Sequence, residues 1–276
     1  MSSNFKKIIN IYPNGATNKM DISIIIRCGD DNRVFNCIES IDEEVEVIVS
    51  LSDNPKLETE LKNKGIKYCL SPRKNLSMTS NMGFEFASHE KIIITDSDTL
   101  FESGCIKKLY EALDNYKVAC AGIKFLSDPH ILFSDIVAEA RDYVNSLPLF
   151  FTPGIALKKE VLSEIGGFLF DDNVPYAVDA NLDYRVKKAG LSVAWMINDV
   201  YIFHAPESIN HDLKAAFRIG MGCRMGVKRL RSFDQYSDIK WNALKGVKIN
   251  SIIDIFQKKG VLQDGPKTTF HHTLKF

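Results

Sequence analysis

The feature that most constrains this chain is an alternation that repeats through its first half. Short β-branched runs are separated by stretches of helical spacing. Ile22 to Ile26, broken only by Ser23, reads as a buried parallel strand. Asn32 to Ile41 carries Val34, Cys37, Ile38 and Ile41 at helical spacing. Val45 to Val49 is a second strand, and Lys56 to Lys64 is a polar helix that Gly65 ends. Ile66 to Leu70, helical Asn75 to Ala87, and Lys91 to Thr95 with its Ile92-Ile93-Ile94 core continue the pattern. From Glu102 to Asn115, residues Ile106, Leu109, Tyr110 and Leu113 form one apolar face, and Val118 to Phe125 reads as strand. Strands alternating with helices predict an α/β domain with a mostly parallel, Rossmann-like sheet covered on both faces. In such sheets ligands bind beyond the carboxyl ends of the strands, so function is sought there.

The second half is less regular. Ile131 to Asn145 is read as helix, and Leu149 to Leu157 as an apolar stretch containing Pro153-Gly154. Lys158 to Ile165 is a short helix closed by Gly166-Gly167, and Leu182 to Ala189 another, stopped by Gly190. Leu191 to Met196 and Val200 to Phe203 are read as separate strands, and Ser208 to Leu230 as a long basic helix. A chain of 276 residues is long for one ordinary domain and short for two. The expected organisation is an N-terminal segment over 1–20, one α/β domain over 21–205, and a C-terminal helical extension and tail over 206–276.

Charge and cysteine usage exclude several classes. Lys plus Arg total 35 and Asp plus Glu total 35, a balance that gives no support to nucleic-acid binding. The six cysteines show no CxxC spacing, which argues against a zinc or redox motif and for buried thiols. Residues 1–20 lack the apolar run of a signal peptide, and no stretch approaches the ~20 apolar residues of a membrane span. A cytoplasmic protein is expected, with one route to the inner face of the membrane. Lys214, Arg218, Arg224, Lys228, Arg229 and Arg231 fall within about half the circumference of the helix over 208–231. Such a surface is either a solvated basic face or a site for anionic lipid or phosphorylated acceptors. Gly220-Met221-Gly222 within it is not a dinucleotide fingerprint, because no strand precedes it.

The chemistry centres on Thr95-Asp96-Ser97-Asp98, at the end of the fourth strand. Two carboxylates one residue apart can converge on a hard divalent cation such as Mg2+ or Mn2+, leaving positions open for phosphate oxygens. The plain alternative is a turn or helix cap, where Asp and Ser are favoured.

Taken in order, these segments resemble family 2 glycosyltransferases, which have the GT-A fold. Ile22 to Ile26 and Glu46 to Val49 look like the family's first two strands; Asn75 to Ala87, with Asn81, Gly83 and Ala87, looks like the helix before the metal site. Ile92 to Asp98 matches the strand and DxD motif, and Pro153-Gly154 to Gly166-Gly167-Phe168 is similar to the family's strand, helix and GGF turn. Asp179 to Arg185, then Lys188-Ala189-Gly190, resembles the segment carrying the catalytic acid, and His204 ends a strand where the family often has a histidine. The resemblance implies a metal-dependent, inverting transfer from a nucleotide diphosphate sugar, with UDP the frequent carrier, to a glycan or lipid-linked hydroxyl. It implies Asp179 as general base, Asp96, Asp98 and His204 as ligands of Mn2+ or Mg2+, and Arg27, Asp53, Asn81, Asp96 and Ser97 as donor-binding residues. His204 is equally open to a role at the diphosphate or as a half-buried structural histidine.

The chain differs from the family pattern at several places. Ser50 to Pro55 replaces a DDGS-like loop, with Asp53 the nearest acid, Val178 stands where a Glu usually precedes the base, and Ser80 where an Arg often precedes Asn81. These differences keep a non-catalytic sugar- or protein-binding descendant as an alternative. A nucleotidyltransferase is a third reading, although Arg27-Cys28-Gly29-Asp30-Asp31 is not its Gly-rich basic loop.

Overall fold

A computed structural model describes residues 19–72 and 75–244. Lys6, Lys7, Asn10, Asn14 and Asn18 of the N-terminal segment, and His271, His272 and the tail after Gly265, lie outside the described residues. The first half follows the predicted alternation: β1 (Ile22–Cys28), α1 (Val34–Glu39), β2 (Glu46–Ser52), α2 (Pro55–Asn63), β3 (Tyr68–Ser71), α3 (Leu76–Phe86) and β4 (Lys91–Asp96). Then come β5 (Thr99–Phe101), α4 (Cys105–Asn115), β6 (Val118–Phe125), α5 (Ser134–Asn145), β7 (Ile155–Lys158), α6 (Val178–Lys188), β8 (Val193–His204) and α7 (Ile209–Leu230).

One eight-stranded sheet has the order β3-β2-β1-β4-β7-β6-β8-β5. β3, β2, β1 and β4 are mutually parallel, β7 runs against both β4 and β6, β8 follows β6, and β5 runs against β8. Only Ser97 and Asp98 separate β4 from β5, yet three strands lie between them in the sheet. That link spans ~11 Å at most, whereas four strand spacings amount to ~19 Å. The sheet therefore curls, bringing the start of β5 back toward the end of β4. Asp98 is held in that closure, its carbonyl accepting from the Ala205 amide just past β8 at 2.9 Å.

Side-chain alternation sorts β1 between two cores. Ile22, Ile24 and Ile26 pack with Leu57, Ile106 and Leu109 on one face; Ile25 packs with Ile92, Ile94, Phe84, Leu182 and Val186 on the other. Gly83 of α3 lies so close on Ile25 and Ser50 that a Cβ would collide with Ile25. All six cysteines are buried and unbridged, as their apolar settings implied.

Four expectations need correction. β5 was not anticipated, being too short to show a period. The two strands read after Gly190 are one, β8, whose exposed Asn198 and Asp199 imitate a turn. Its pairing with β6 jumps from Met196 to Tyr201, and the Ile197 carbonyl then occupies the space a side chain at Gly122 would need. The short helix after β7 is a 3-10 turn, Lys159–Ser163. α6 begins at Val178 rather than Leu182, after Ala177 turns into the left-handed region at φ 56°. Val178 is buried in the core beside Leu182 and Val186, which accounts for an apolar residue at this place.

Candidate active site

Strand alternation places the first pair of site residues. Arg27 lies opposite Asp96 in the β1–β4 register. Arg27 shares the face of Ile25, and Asp96 that of Ile94. The guanidinium grips the carboxylate with two bonds, Nε to Oδ1 at 2.8 Å and Nη2 to Oδ2 at 2.9 Å. Arg27 is only 5% exposed, and its Nη1 is buried without a hydrogen-bond partner. Burial pushes the Asp96 carboxyl up, against the pull of Arg27 and with the repulsion of Asp98. Ser97 is buried, and its amide donates to the Arg27 carbonyl at 3.1 Å, tying the ends of the two strands together.

α6 packs on this same face, and it brings Asp179. The carboxylate sits in the first turn of the helix, not at the cap, and accepts from the Ala180 amide at 2.9 Å and from the Thr152 backbone. Burial raises its pKa, while Arg27 acts to lower it. Asp96 and Asp179, far apart in sequence, thus lie in the field of one arginine. Asp183, the next carboxylate along α6, is paired with Lys187 at 2.8 Å and accepts from the Phe150 amide.

Curling of the sheet assembles the second group. His204 lies opposite Thr99 in the β5–β8 register, and its Nε2 stands 3.6 Å from Asp98 Oδ2. The ring stacks on Phe125 with centroids 4.2 Å apart, and Nδ1 faces the Ala205 carbonyl at 2.9 Å. If Nδ1 carries the proton for that carbonyl, Nε2 presents a lone pair toward Asp98. Arg33 links Asp31, at 2.6 Å, with Asp98, at 3.5 Å. Glu207, 3.8 Å from His204 Nε2 and 3.3 Å from His211 Nδ1, has a buried Oε2 without a hydrogen-bond partner. Burial works to raise the Glu207 carboxyl, but His211, His204 and Arg141 outweigh it and hold it below its usual range.

Asp31, Arg33 and Glu207 escaped sequence reasoning, while His211, read from the sequence as a surface residue, is exposed and reaches Glu207. Asp31 and Arg33 lie in the loop after β1, where position beyond a strand end was a usable signal; Glu207 and His211 follow His204 but show their relation only after the curl. Asp53 is exposed past the carboxyl end of β2, with φ 31°. Asn81 has its amide engaged within the chain: Nδ2 donates to the Phe170 carbonyl and to Asp172, both at 2.8 Å, and Oδ1 accepts from the Phe170 amide at 3.2 Å. The six cations of α7 divide. Arg229 turns to Asp171 at 2.7 Å, Arg231 to the Ile239 carbonyl, and Arg218 lies over the Tyr176 ring at 6.0 Å; Lys214, Arg218, Arg224 and Lys228 are exposed. Gly220 and Gly222 lie inside this helix, confirming that they form no nucleotide loop.

Among the described residues, no group of three or more His, Cys, Asp or Glu side chains surrounds one point as a complete cation cage. A hard cation shared with substrate phosphates needs only one or two protein ligands. Asp98 Oδ2 and His204 Nε2 meet that requirement, because an oxygen and a nitrogen 3.6 Å apart can both reach one ion. Asp96 is differently placed, since its two oxygens are already gripped by Arg27.

The family described as glycosyl transferase family 2 matches residues 33–168, a range that includes Asp96 and Asp98 and ends before Asp179 and His204. No curated protein matches the chain in sequence. Among solved structures, S. aureus TarS 1-349 in complex with UDP-GlcNAc is similar at 13% identity and a TM-score of 0.55, over 87% of this chain and 73% of that one. The UDP complex of S. aureus TarS 1-349 is similar at 13% identity and a TM-score of 0.52, over 88% and 73%. GalNAc-T7 with UDP, GalNAc and Mn2+ is similar at 11% identity and a TM-score of 0.56, over 88% of this chain and 55% of that one. At such identities the likeness establishes the fold, which is GT-A.

Proposed function

Since residues 33–168 belong to glycosyl transferase family 2, we propose that this chain transfers a sugar, with inversion, from a UDP-linked donor to a hydroxyl of a glycan or lipid-linked acceptor, with Mn2+ or Mg2+ as cofactor. The observation that carries it is the meeting of β1, β4, α6 and the end of β8 around one site. Asp96 and Asp179 share Arg27, and Asp98 meets His204. The UDP complexes of TarS and the UDP and Mn2+ bound to GalNAc-T7 support the choice of donor and cofactor.

Asp98 and His204 would hold the cation, and imidazole favours Mn2+ over Mg2+. When bound, the ion neutralises charge on the departing diphosphate. Arg27 holds Asp96 rigid with two hydrogen bonds and places its charge within reach of Asp179. Asp53 and Ser97 line the nucleotide side. Asn81 fixes the loop before α6 and so positions Asp179 rather than touching the donor.

In the displacement, the acceptor oxygen forms a bond to the anomeric carbon as the bond from that carbon to the diphosphate breaks. The hydroxyl proton passes to the Asp179 carboxylate, and the electron pair of the broken bond leaves with the diphosphate. A buried carboxylate with a raised pKa is a stronger base than one in water, and a positioned base contributes about 10²–10⁴-fold.

The test combines melting and turnover. Nucleoside diphosphates are screened with Mn2+ and with Mg2+ for a rise in melting temperature, since a ligand of the folded state stabilises it by mass action. Release of UDP from UDP-sugars is then measured. A UDP-selective, Mn2+-dependent rise with UDP release is expected. Binding without any release would favour the non-catalytic descendant, and no nucleotide response at all would sink the proposal.

A further inference from the structure

α7 carries a surface that sugar transfer does not use. Leu213, Phe217, Met221 and Met225 are 53%, 60%, 45% and 37% exposed. Recurring every fourth residue, they advance by about 40° per step and form one slanting stripe down the helix. Lys214 follows Leu213 and Arg218 follows Phe217, while Arg224 and Lys228 bracket Met225. These cations occupy the same exposed arc. The only acid between Ile209 and Arg231, Asp212, is buried against Arg141 of α5. At the far end Trp241, 55% exposed, stacks on Arg231 with 4.2 Å from the guanidinium carbon to the ring centroid.

We propose that this face of α7 docks the protein on an anionic lipid surface, with the apolar stripe entering the headgroup boundary and the four cations reaching lipid phosphates. Charge complementarity selects the occupant. The solvent side of α7 presents large apolar side chains on one arc with cations, while Asp212 is turned inward against Arg141, which is the composition of a helix lying in a membrane interface. Long cationic stems can stay among the apolar groups while their heads remain with phosphate. A solvated basic face would need none of the four exposed apolar residues. Ser208 caps α7 just after His204 and Glu207, so docking would hold the site beside the bilayer. In that respect alone the inference rests on the proposed function, because it favours a lipid-linked acceptor.

The experiment is flotation of the full chain with vesicles of phosphatidylcholine alone and with phosphatidylglycerol added. Wild type should float with the anionic vesicles, and added salt should weaken binding without abolishing it. Phe217→Ser with Met221→Ser should reduce the bound fraction by about tenfold or more at every salt concentration. Lys214→Gln with Lys228→Gln should act mainly at low salt. Both variants replace exposed residues, so melting temperature and UDP release measured without lipid should stay at wild-type values. Loss of flotation with UDP release intact separates this surface from the active site. The inference is overturned if wild type does not float with anionic vesicles at low salt, or if the serine variant floats as well as wild type. It is also overturned if wild type sediments as a dimer that the serine variant dissociates, since the stripe would then join two copies of the chain.

Discussion

Arg27→Met is the substitution that tests the centre of the site most directly. Methionine has the length of the arginine stem but loses both the charge and the fork, leaving Asp96 without its two donors. Removing one partner of a buried ion pair costs about 3–5 kcal/mol, because the other charge stays behind. The Asp96 side chain is 22% exposed and can regain some hydration, so the lower end, about 3 kcal/mol, is expected near neutral pH. At about 2–4 °C per kcal/mol, the melting temperature should fall by about 6–12 °C. The pH dependence supplies the stricter check. Burial already raises the Asp96 pKa, and losing Arg27 raises it further. A carboxyl whose folded pKa exceeds its unfolded value binds more protons in the native state, so stability rises as pH falls through the folded pKa toward the unfolded one. The gap between wild type and variant should therefore narrow between neutral pH and a pH nearer the unfolded carboxylate value of about 3.9. Arg27→Lys should fall between them, keeping the charge without the bidentate geometry. Calorimetric melts of the three proteins decide it: an unchanged melting temperature in Arg27→Met, or the same gap at both pH values, refutes the reasoning.

Asp98→Asn should remove Mn2+-dependent stabilisation by UDP while leaving the metal-free melt near wild type; persistent Mn2+-dependent binding would remove Asp98 from the metal site. Asp179→Asn should retain donor binding and lower turnover by roughly two to four orders of magnitude. Because burial raises the Asp179 pKa, wild-type turnover should decline on acidification at a pH above the usual carboxylate value of about 3.9, and a near-normal rate in the Asn variant would place the base elsewhere. Gly222→Ala should cost about 1–3 kcal/mol and reduce turnover, because its Cβ would strike the Tyr176 carbonyl in the loop before α6; an unaltered melt would show that the loop yields freely.

The sequence was most legible where one period runs unbroken. β1 and β4 each carry a run of three isoleucines, and their burial on both faces made both the strands and the carboxyl-edge location of Asp96 and Asp98 readable. β5 and the single β8 were not legible, because three residues show no period and because Asn198-Asp199 carries a turn composition inside a bulged strand. The curl depends on these two elements. The meeting of Asp98 and His204 that it produces could be expected from the family's order, whereas residue spacing alone gives no sign of it. The pairing of Arg27 with Asp96 depends on register, which fixes which face each residue takes. Asn81 shows the opposite difficulty. The resemblance implies donor contact for Asn81, and the structure shows its amide bonded to the Phe170 backbone and the Asp172 side chain.

That loop explains how a site drawn from distant segments can be held still. Residues 170–177 run from the core to α6 without regular structure, and every neighbouring element fastens them. Asn75 of α3's cap donates to the Asp172 carbonyl at 2.9 Å, Asn81 holds Phe170 and Asp172, and Ser77 donates to the Val174 carbonyl. From the other side Arg229 of α7 grips Asp171, and Gly222 lets α7 come against Tyr176. Upstream, Arg185 of α6 is fully buried and donates to the carbonyls of Ile165, Phe168 and Leu169, beside Gly166 and Gly167 with φ of 103° and 83°. Burial lowers the Arg185 pKa to about 10, still far above neutrality, so the charge that draws in these carbonyls persists at physiological pH. α3 also presses on β1 at Gly83, and β1 presents Arg27. A displacement of the loop would therefore move Asp179 relative to Arg27, although the two belong to separate elements. With Asp179 as the proposed base, substitution of the polar residues of α3 and α7 nearest the site should change turnover more than donor affinity.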